Sequence, residues 1–457
     1  MSKNFPLDFF SQPLHKIANL GTNRISIIIF VLIAALSVDT VINQLSGLLG
    51  ISMYTLGGVS LFLVISIITI VCQLFTINFV SRKSIGIRRK IKHIRTMHIA
   101  VTVSQYFIIL LFIYVMVEIG LTQSYTPLSP VLVTMVSYML SISLMGIFTV
   151  IFLSWYRSNR SSILVLLYGL SFATVVIASA ALIPIWLHLF GEKISSRIVP
   201  ESDVSFPTTE EGSIWKSLGK IYQYSDIASF FLKWGGTALI LYHYSRKIGR
   251  AKYWFLLSLP VAYFSTLIIY HFHIYEPHEE LESLIFFGFA SLNSTFGGIL
   301  FYLAFKFTSE NFKSSELFRD YLLMAGYGFM LFFSATQSSL TSTAYPPFGF
   351  ATVSSYGLGS YLILIGLYLS ALSVSQDNEL RSMIKRSTLS ESKFLHSIGT
   401  SAAERQRFLV NSVVGKAKRQ QETIVEDIGI ETSLTVEDIK EYVEEVEVSE
   451  AEDEGEK

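Results

Sequence analysis

Residues 163–190 read ILVLLYGLSFATVVIASAALIPIWLHLF, with no Asp, Glu, Lys or Arg among them. A helix needs roughly 20 mostly apolar residues to cross the hydrocarbon layer of a bilayer, where no water satisfies exposed backbone polar groups. This stretch is long enough and apolar enough. Nine further stretches read the same way, at Ile25–Leu45, Leu56–Val80, Ile99–Ile119, Pro130–Trp155, Ile227–Tyr244, Tyr253–Tyr270, Leu284–Phe305, Tyr321–Leu340 and Ala351–Val374. The expected fold is an all-α integral membrane protein, a bundle of about ten transmembrane helices with a short cytoplasmic C-terminal tail.

Composition agrees with that expectation. Half of the 457 residues are hydrophobic (51%) and only 15% are charged, against roughly a quarter in soluble domains. Formal net charge is zero, so no general attraction to nucleic acid follows. Cys72, the single cysteine, lies inside an apolar run, which excludes an intramolecular disulfide and a thiol metal cluster. No small-residue cleavage site follows the first apolar run, so that run reads as a retained helix.

Basic residues set the expected orientation, because cationic loops resist translocation. Arg82, Lys83, Arg88, Arg89, Lys90, Lys92 and Arg95 follow the second span, Arg157 and Arg160 the fourth, Arg246, Lys247, Arg250 and Lys252 the sixth, and Lys306, Lys313 and Arg319 the eighth. Both termini are therefore expected in the cytoplasm of a cell-membrane protein. The organisation reads as a cytoplasmic segment at 1–24, a membrane domain at 25–374 with a long outer loop at 191–226, and a cytoplasmic tail at 375–457. In that outer loop, Trp215–Tyr224 mixes aromatics and lysines as an interfacial helix would. The tail is basic from Leu380 to Val425, as a helix near anionic lipid heads would be. From Glu426 onward acids dominate, and that terminus is expected to be disordered, apart from a short helix capped by Thr435 and Asp438.

Ionisable residues inside apolar spans face the bundle interior or a water-filled path. Asp39, Glu118, Asp226 and Lys233 are the candidates for a ligand or ion pathway. Lys233 lies about two turns inside its span and Asp226 is seven residues earlier on the same helical face, so the two frame an outer cavity, with Asp39 as a further counter-ion. The plainer reading is a structural ion pair, or a lysine that snorkels to the surface. A second cluster, His271, His273, Glu276 and His278, joined by His188, has donors suited to a divalent metal at the outer face. Its plainer reading is a solvated loop, and no other cofactor is expected. The paired glycines Gly57 and Gly58, Gly297 and Gly298, Gly326 and Gly328, and Gly357 and Gly359 are expected to let helices approach. Tyr345 to Gly349, YPPFG, reads as an interfacial anchor.

Enzyme signatures are missing from the sequence. There is no GxxxxGK[ST], HExxH, GxSxG or paired CxxC. His396 sits where the phosphoacceptor of a histidine kinase would, but no ATP-binding domain follows it. The expectation is a non-enzymatic sensor or receptor-like protein whose tail binds a cytoplasmic protein partner. A secondary transporter of two inverted five-helix halves is the main alternative, and a membrane metal-binding protein using the outer histidines is a third.

The segments Ala344–Arg381, AYPPFGFATVSSYGLGSYLILIGLYLSALSVSQDNELR, and Phe394–Glu404, FLHSIGTSAAE, resemble uncharacterised polytopic membrane proteins of archaea, especially of ammonia-oxidising lineages. The resemblance implies an archaeal membrane protein with a short signalling-like tail and carries over no functional residue.

The cation asymmetry makes a topology prediction. In a Cys72→Ala background, an impermeant thiol reagent outside intact cells should modify Ser205→Cys and spare Lys90→Cys. The reverse pattern would overturn the orientation.

Overall fold

The computed structural model describes residues 22–45, 56–85, 92–122, 125–126, 128–158, 160, 163–191, 214–242, 245, 249–271, 280–310, 315–336 and 348–376. These form ten α-helices: α1 (Thr22–Leu45), α2 (Leu56–Lys83), α3 (Lys92–Thr122), α4 (Leu128–Ser158), α5 (Ile163–Gly191), α6 (Ile214–Tyr242), α7 (Arg250–His271), α8 (Glu280–Glu310), α9 (Glu316–Thr336) and α10 (Phe350–Gln376). No strand occurs among the described residues. Because α6 begins at Ile214, Trp215–Tyr224 forms its first turns and not a separate interfacial helix. The tail from residue 377 lies outside the described residues.

Helices α1 to α8 form a ring around a centre. Each packs on its chain neighbour, α6 also meets α8, and α8 returns to pack on α1. α10 runs inside the ring against α1, α2, α3, α4 and α9, while α9 fills the space between α10, α8 and α1. The ring turns apolar side chains outward, among them Val64, Ile67, Val103, Leu110, Ile113, Val150 and Ile177. Soluble monomers rarely expose such a continuous apolar belt, which suits lipid.

Six helices, α1 to α5 and α10, are long and apolar enough to cross a membrane. The ten spans expected from sequence are thus matched by ten helices of which six meet that standard. Position in the bundle accounts for part of the difference. In α10 the mean hydropathy is 1.8, the lowest of the six, and 83% of its apolar window is buried, against 33% to 50% in the others. A helix surrounded by protein need not be greasy. α9 carries the same logic further, with glycines and tyrosines on a helix buried along nearly its whole length.

Small residues let α9 and α10 lock together. A methyl group placed on Gly328 would come within 2.5 Å of the Ile363 backbone nitrogen, one on Gly359 within 2.9 Å of the Phe332 nitrogen, and one on Gly366 within 2.5 Å of the Ala325 nitrogen. Backbone lies against backbone at all three places, the contact small residues permit between membrane helices. Aromatic rings then wrap α9: Phe329 packs against Phe305 at 5.1 Å and Tyr168 at 5.5 Å, and Phe333 against Phe301 at 5.3 Å.

Gly366→Ala and Gly328→Ala should each destabilise the bundle by roughly 1–3 kcal/mol, the range for overpacking a tight contact. Gly57→Ala, whose added methyl meets nothing within 4 Å, should stay within about 0.5 kcal/mol of the parent. Thermal melting of the detergent-solubilised protein checks both, and equal effects at all three positions would refute the interlock.

Candidate functional site

Asp39, Glu118, Asp226 and Lys233 fall into three separate environments. Asp39, on α1, is completely buried. One carboxylate oxygen accepts the Gly349 N–H at 2.9 Å, and the other accepts the Thr352 N–H at 3.1 Å and the Thr352 hydroxyl at 2.9 Å. Those are first-turn donors of α10, and a helix N-terminus leaves such donors without intrahelical partners. The partial positive charge there also favours a carboxylate. Gly349 has φ +89, a conformation glycine adopts without strain. Asp39 is thus the N-terminal cap of the central helix, supplied from another helix, and it does not line the cavity described below. Of YPPFG, Tyr345 to Pro347 lie outside the described residues, and Phe348, expected at an interface, is buried 5.9 Å from the Phe62 ring.

Glu118 has a local task. It accepts the Thr126 N–H at 3.0 Å and the Thr126 hydroxyl at 2.6 Å, tying the last turn of α3 to the connection before α4.

Asp226 and Lys233 come together as the sequence spacing implies. Both line a cavity of about 20 Å³ between α4, α5, α6 and α10, together with Tyr138, Val175, Ala178, Ser179, Tyr222 and Tyr356. Lys233 is only 6% exposed. Its ammonium lies 4.9 Å from the centre of the Phe332 ring on α9, a cation–π contact. The Phe332 ring is itself stacked on Tyr356 at 4.9 Å, and Tyr356 lies 4.9 Å from Tyr138. Among the described residues the one contact ion pair is Lys83–Asp320 at 2.5 Å. Asp226 and Lys233 therefore share a cavity without closing on each other. The hydroxyl of Tyr356 meets that of Ser179 at 3.2 Å, so one wall has a fixed polar feature.

The metal candidates are not assembled among the described residues, where no group of three His, Cys, Asp or Glu side chains forms. The ring of His188 lies flat on that of Trp215, 4.2 Å between centres and 4° from parallel. His271 is the last residue of α7, while His273, Glu276 and His278 lie outside the described residues.

A second polar feature was not singled out from sequence. Ser66, Thr69, Gln73 and Thr76 fall on one buried stripe of α2. Gln73 donates to the hydroxyls of Ser354 and Ser355 at 2.9 Å each, and Gln105 donates to Gln73 and to the Ser354 carbonyl at 3.1 Å each. Nearer the start of α3, His98 meets the Tyr361 hydroxyl at 2.5 Å. From the α4 side, Ser137 donates to the Val353 carbonyl at 2.7 Å, and Ser141 pairs with Ser360 at 2.7 Å. The signal was present in the three- and four-residue spacing of polar groups within the second span, a pattern that places them all on one helical face. Set against protein-family models, curated proteins and solved structures, the chain matches none.

Asp39→Ala should lower the stability of the whole bundle, at about 1–3 kcal/mol for each buried donor left without a partner. Asp39→Asn, which keeps one acceptor oxygen, should fall between. Melting curves decide the matter. If Asp39→Ala melts with the parent, the cap does not hold α10.

Proposed function

We propose that the chain is a ten-span membrane sensor of receptor type, in which the Asp226–Lys233 chamber receives a small solute and the tail relays its presence to a cytoplasmic protein. One observation carries the reading. An ammonium and a carboxylate face one cavity inside a helix bundle, attracting each other across it without closing into contact. Charges in an apolar bundle are costly, at about 2.5–3.5 kcal/mol for a lysine at a helix centre on insertion scales. A pair kept only for structure would close into contact to offset that cost. On this reading α6 to α9 also cross the membrane, with their polar residues turned to the chamber and to the bundle centre, and both termini lie in the cytoplasm.

The arrangement of the helices favours a sensor over a transporter. Two inverted halves of five would give α4 and α5 the same standing as α9 and α10. α9 and α10 form the centre, whereas α4 and α5 belong to the ring. A single central pair suits a fixed scaffold around a binding chamber better than two halves that rock past each other.

Accessibility tests this reading. Ser179→Cys, in the Cys72→Ala background and in sealed membrane vesicles of each orientation, should react with a small charged methanethiosulfonate reagent from the face opposite the Arg82–Arg95 loop only. Reaction from both faces would point to alternating access and a transporter. No reaction from either face would remove the chamber from consideration as a solute site. Lys233→Met should still insert in the membrane, because it removes a charge and keeps a long apolar stem.

A further inference from the structure

The chamber presents charges of both signs, and this restricts what it accommodates. Resting on the reading of the chamber as a solute site, we infer that its ligand is a small zwitterion, an ammonium and a carboxylate joined by a short backbone of amino-acid type. Asp226 and Lys233 are two turns apart on one face of α6, roughly 10 Å along the axis. Side chains on a helix lean toward its N-terminus, so the lysine stem reaches back toward Asp226 and narrows the gap. The narrowed gap is still wider than an ion-pair contact. A short molecule charged at both ends spans such a gap, its carboxylate on Lys233 and its ammonium on Asp226.

Ligands of one charge fit worse. An anion bound to Lys233 would bring a second negative charge toward Asp226, and a cation bound to Asp226 would do the same to Lys233. Like charges repel strongly where water is scarce. A zwitterion satisfies both groups and adds no net charge to the bundle. Lysine supplies three N–H donors and a carboxylate accepts several hydrogen bonds, and the Lys233 ammonium rests on the Phe332 ring in the field of Asp226. The Tyr356 and Ser179 hydroxyls stand on the same wall and offer neutral partners. Val175 and Ala178 add apolar lining to the same cavity. The cavity, about 20 Å³ on a scale where one water needs roughly 10–15 Å³, has room for one or two waters as it stands, so the ligand is drawn from the smallest amino acids and the lining side chains must move apart to admit it.

Glycine, L-alanine, acetate and methylamine are the probes, added at equal ionic strength to the full-length protein in phosphatidylcholine nanodiscs. Glycine or alanine should raise the melting temperature saturably and slow modification of Ser179→Cys at least tenfold, while acetate and methylamine, alone or together, do neither. Asp226→Asn and Lys233→Met should each weaken the amino-acid effect at least tenfold, and the four-probe comparison on the parent chain decides even if a variant fails to fold. Acetate matching glycine would overturn the inference in favour of a simple anion site, and methylamine matching glycine in favour of a cation site. A cysteine that reacts yet is protected by none of the four probes overturns the zwitterion and leaves the chamber standing. A cysteine that never reacts overturns the chamber itself.

Discussion

The Asp39 carboxylate holds the first turn of α10, and the rest of the bundle is arranged around that helix. A helix start buried away from water must find partners for its free N–H groups. Here they come from α1, at the other end of the sequence from α10. The same contact fixes two elements at once, because the oxygens that cap α10 also hold the last turns of α1 beside it. The Thr40 hydroxyl, one residue on, approaches that of Thr352 at 3.4 Å and adds to the joint.

Along its length α10 is held by polar contacts of a kind that lipid could not provide. Gln73 and Gln105 reach it from α2 and α3, and Ser137 and Ser141 from α4. On its remaining side, glycines bring it against α9 until backbones touch. Between membrane helices, packing and hydrogen bonds carry much of the specificity, since lipid tails are as apolar as leucine. Hydroxyl groups on α10 and the amides that reach it from α2 and α3 therefore select its neighbours, and the apolar residues of α1 to α5 are left to face lipid. At the opposite end, where α2 ends and α9 begins, Lys83 pairs with Asp320 and the Tyr321 hydroxyl donates to the Lys83 carbonyl at 3.3 Å.

The chamber inherits its shape from this scaffold. Tyr356 belongs to α10, Phe332 to α9, and both are fixed by the interlock between those helices. Lys233 rests on that fixed ring, so a change in how α6 sits against α9 and α10 would alter the lysine's position directly. In a receptor, movement of that kind is what a bound solute would have to produce. A rigid centre and a ring helix with a charged inner face provide the two parts such a response needs.

The sequence alone determined that the chain is helical and built for a membrane, because apolar runs of that length leave the backbone no other way to satisfy its polar groups. It also placed Asp226 and Lys233 on one face, since helical periodicity relates residues seven apart whatever the surroundings. It identified most of the close-packing glycines, because the absence of a side chain has meaning before any neighbour is known. What a buried carboxylate does is a different matter. Asp39 looked like a counter-ion for Lys233, and only the tertiary structure brought it to the start of α10, since the partners of a cap lie wherever the fold puts a helix end. The ring, the central pair and the buried stripe of α2 were likewise decided by packing, because a hydropathy pattern records how apolar a face is and not whether lipid or another helix covers it.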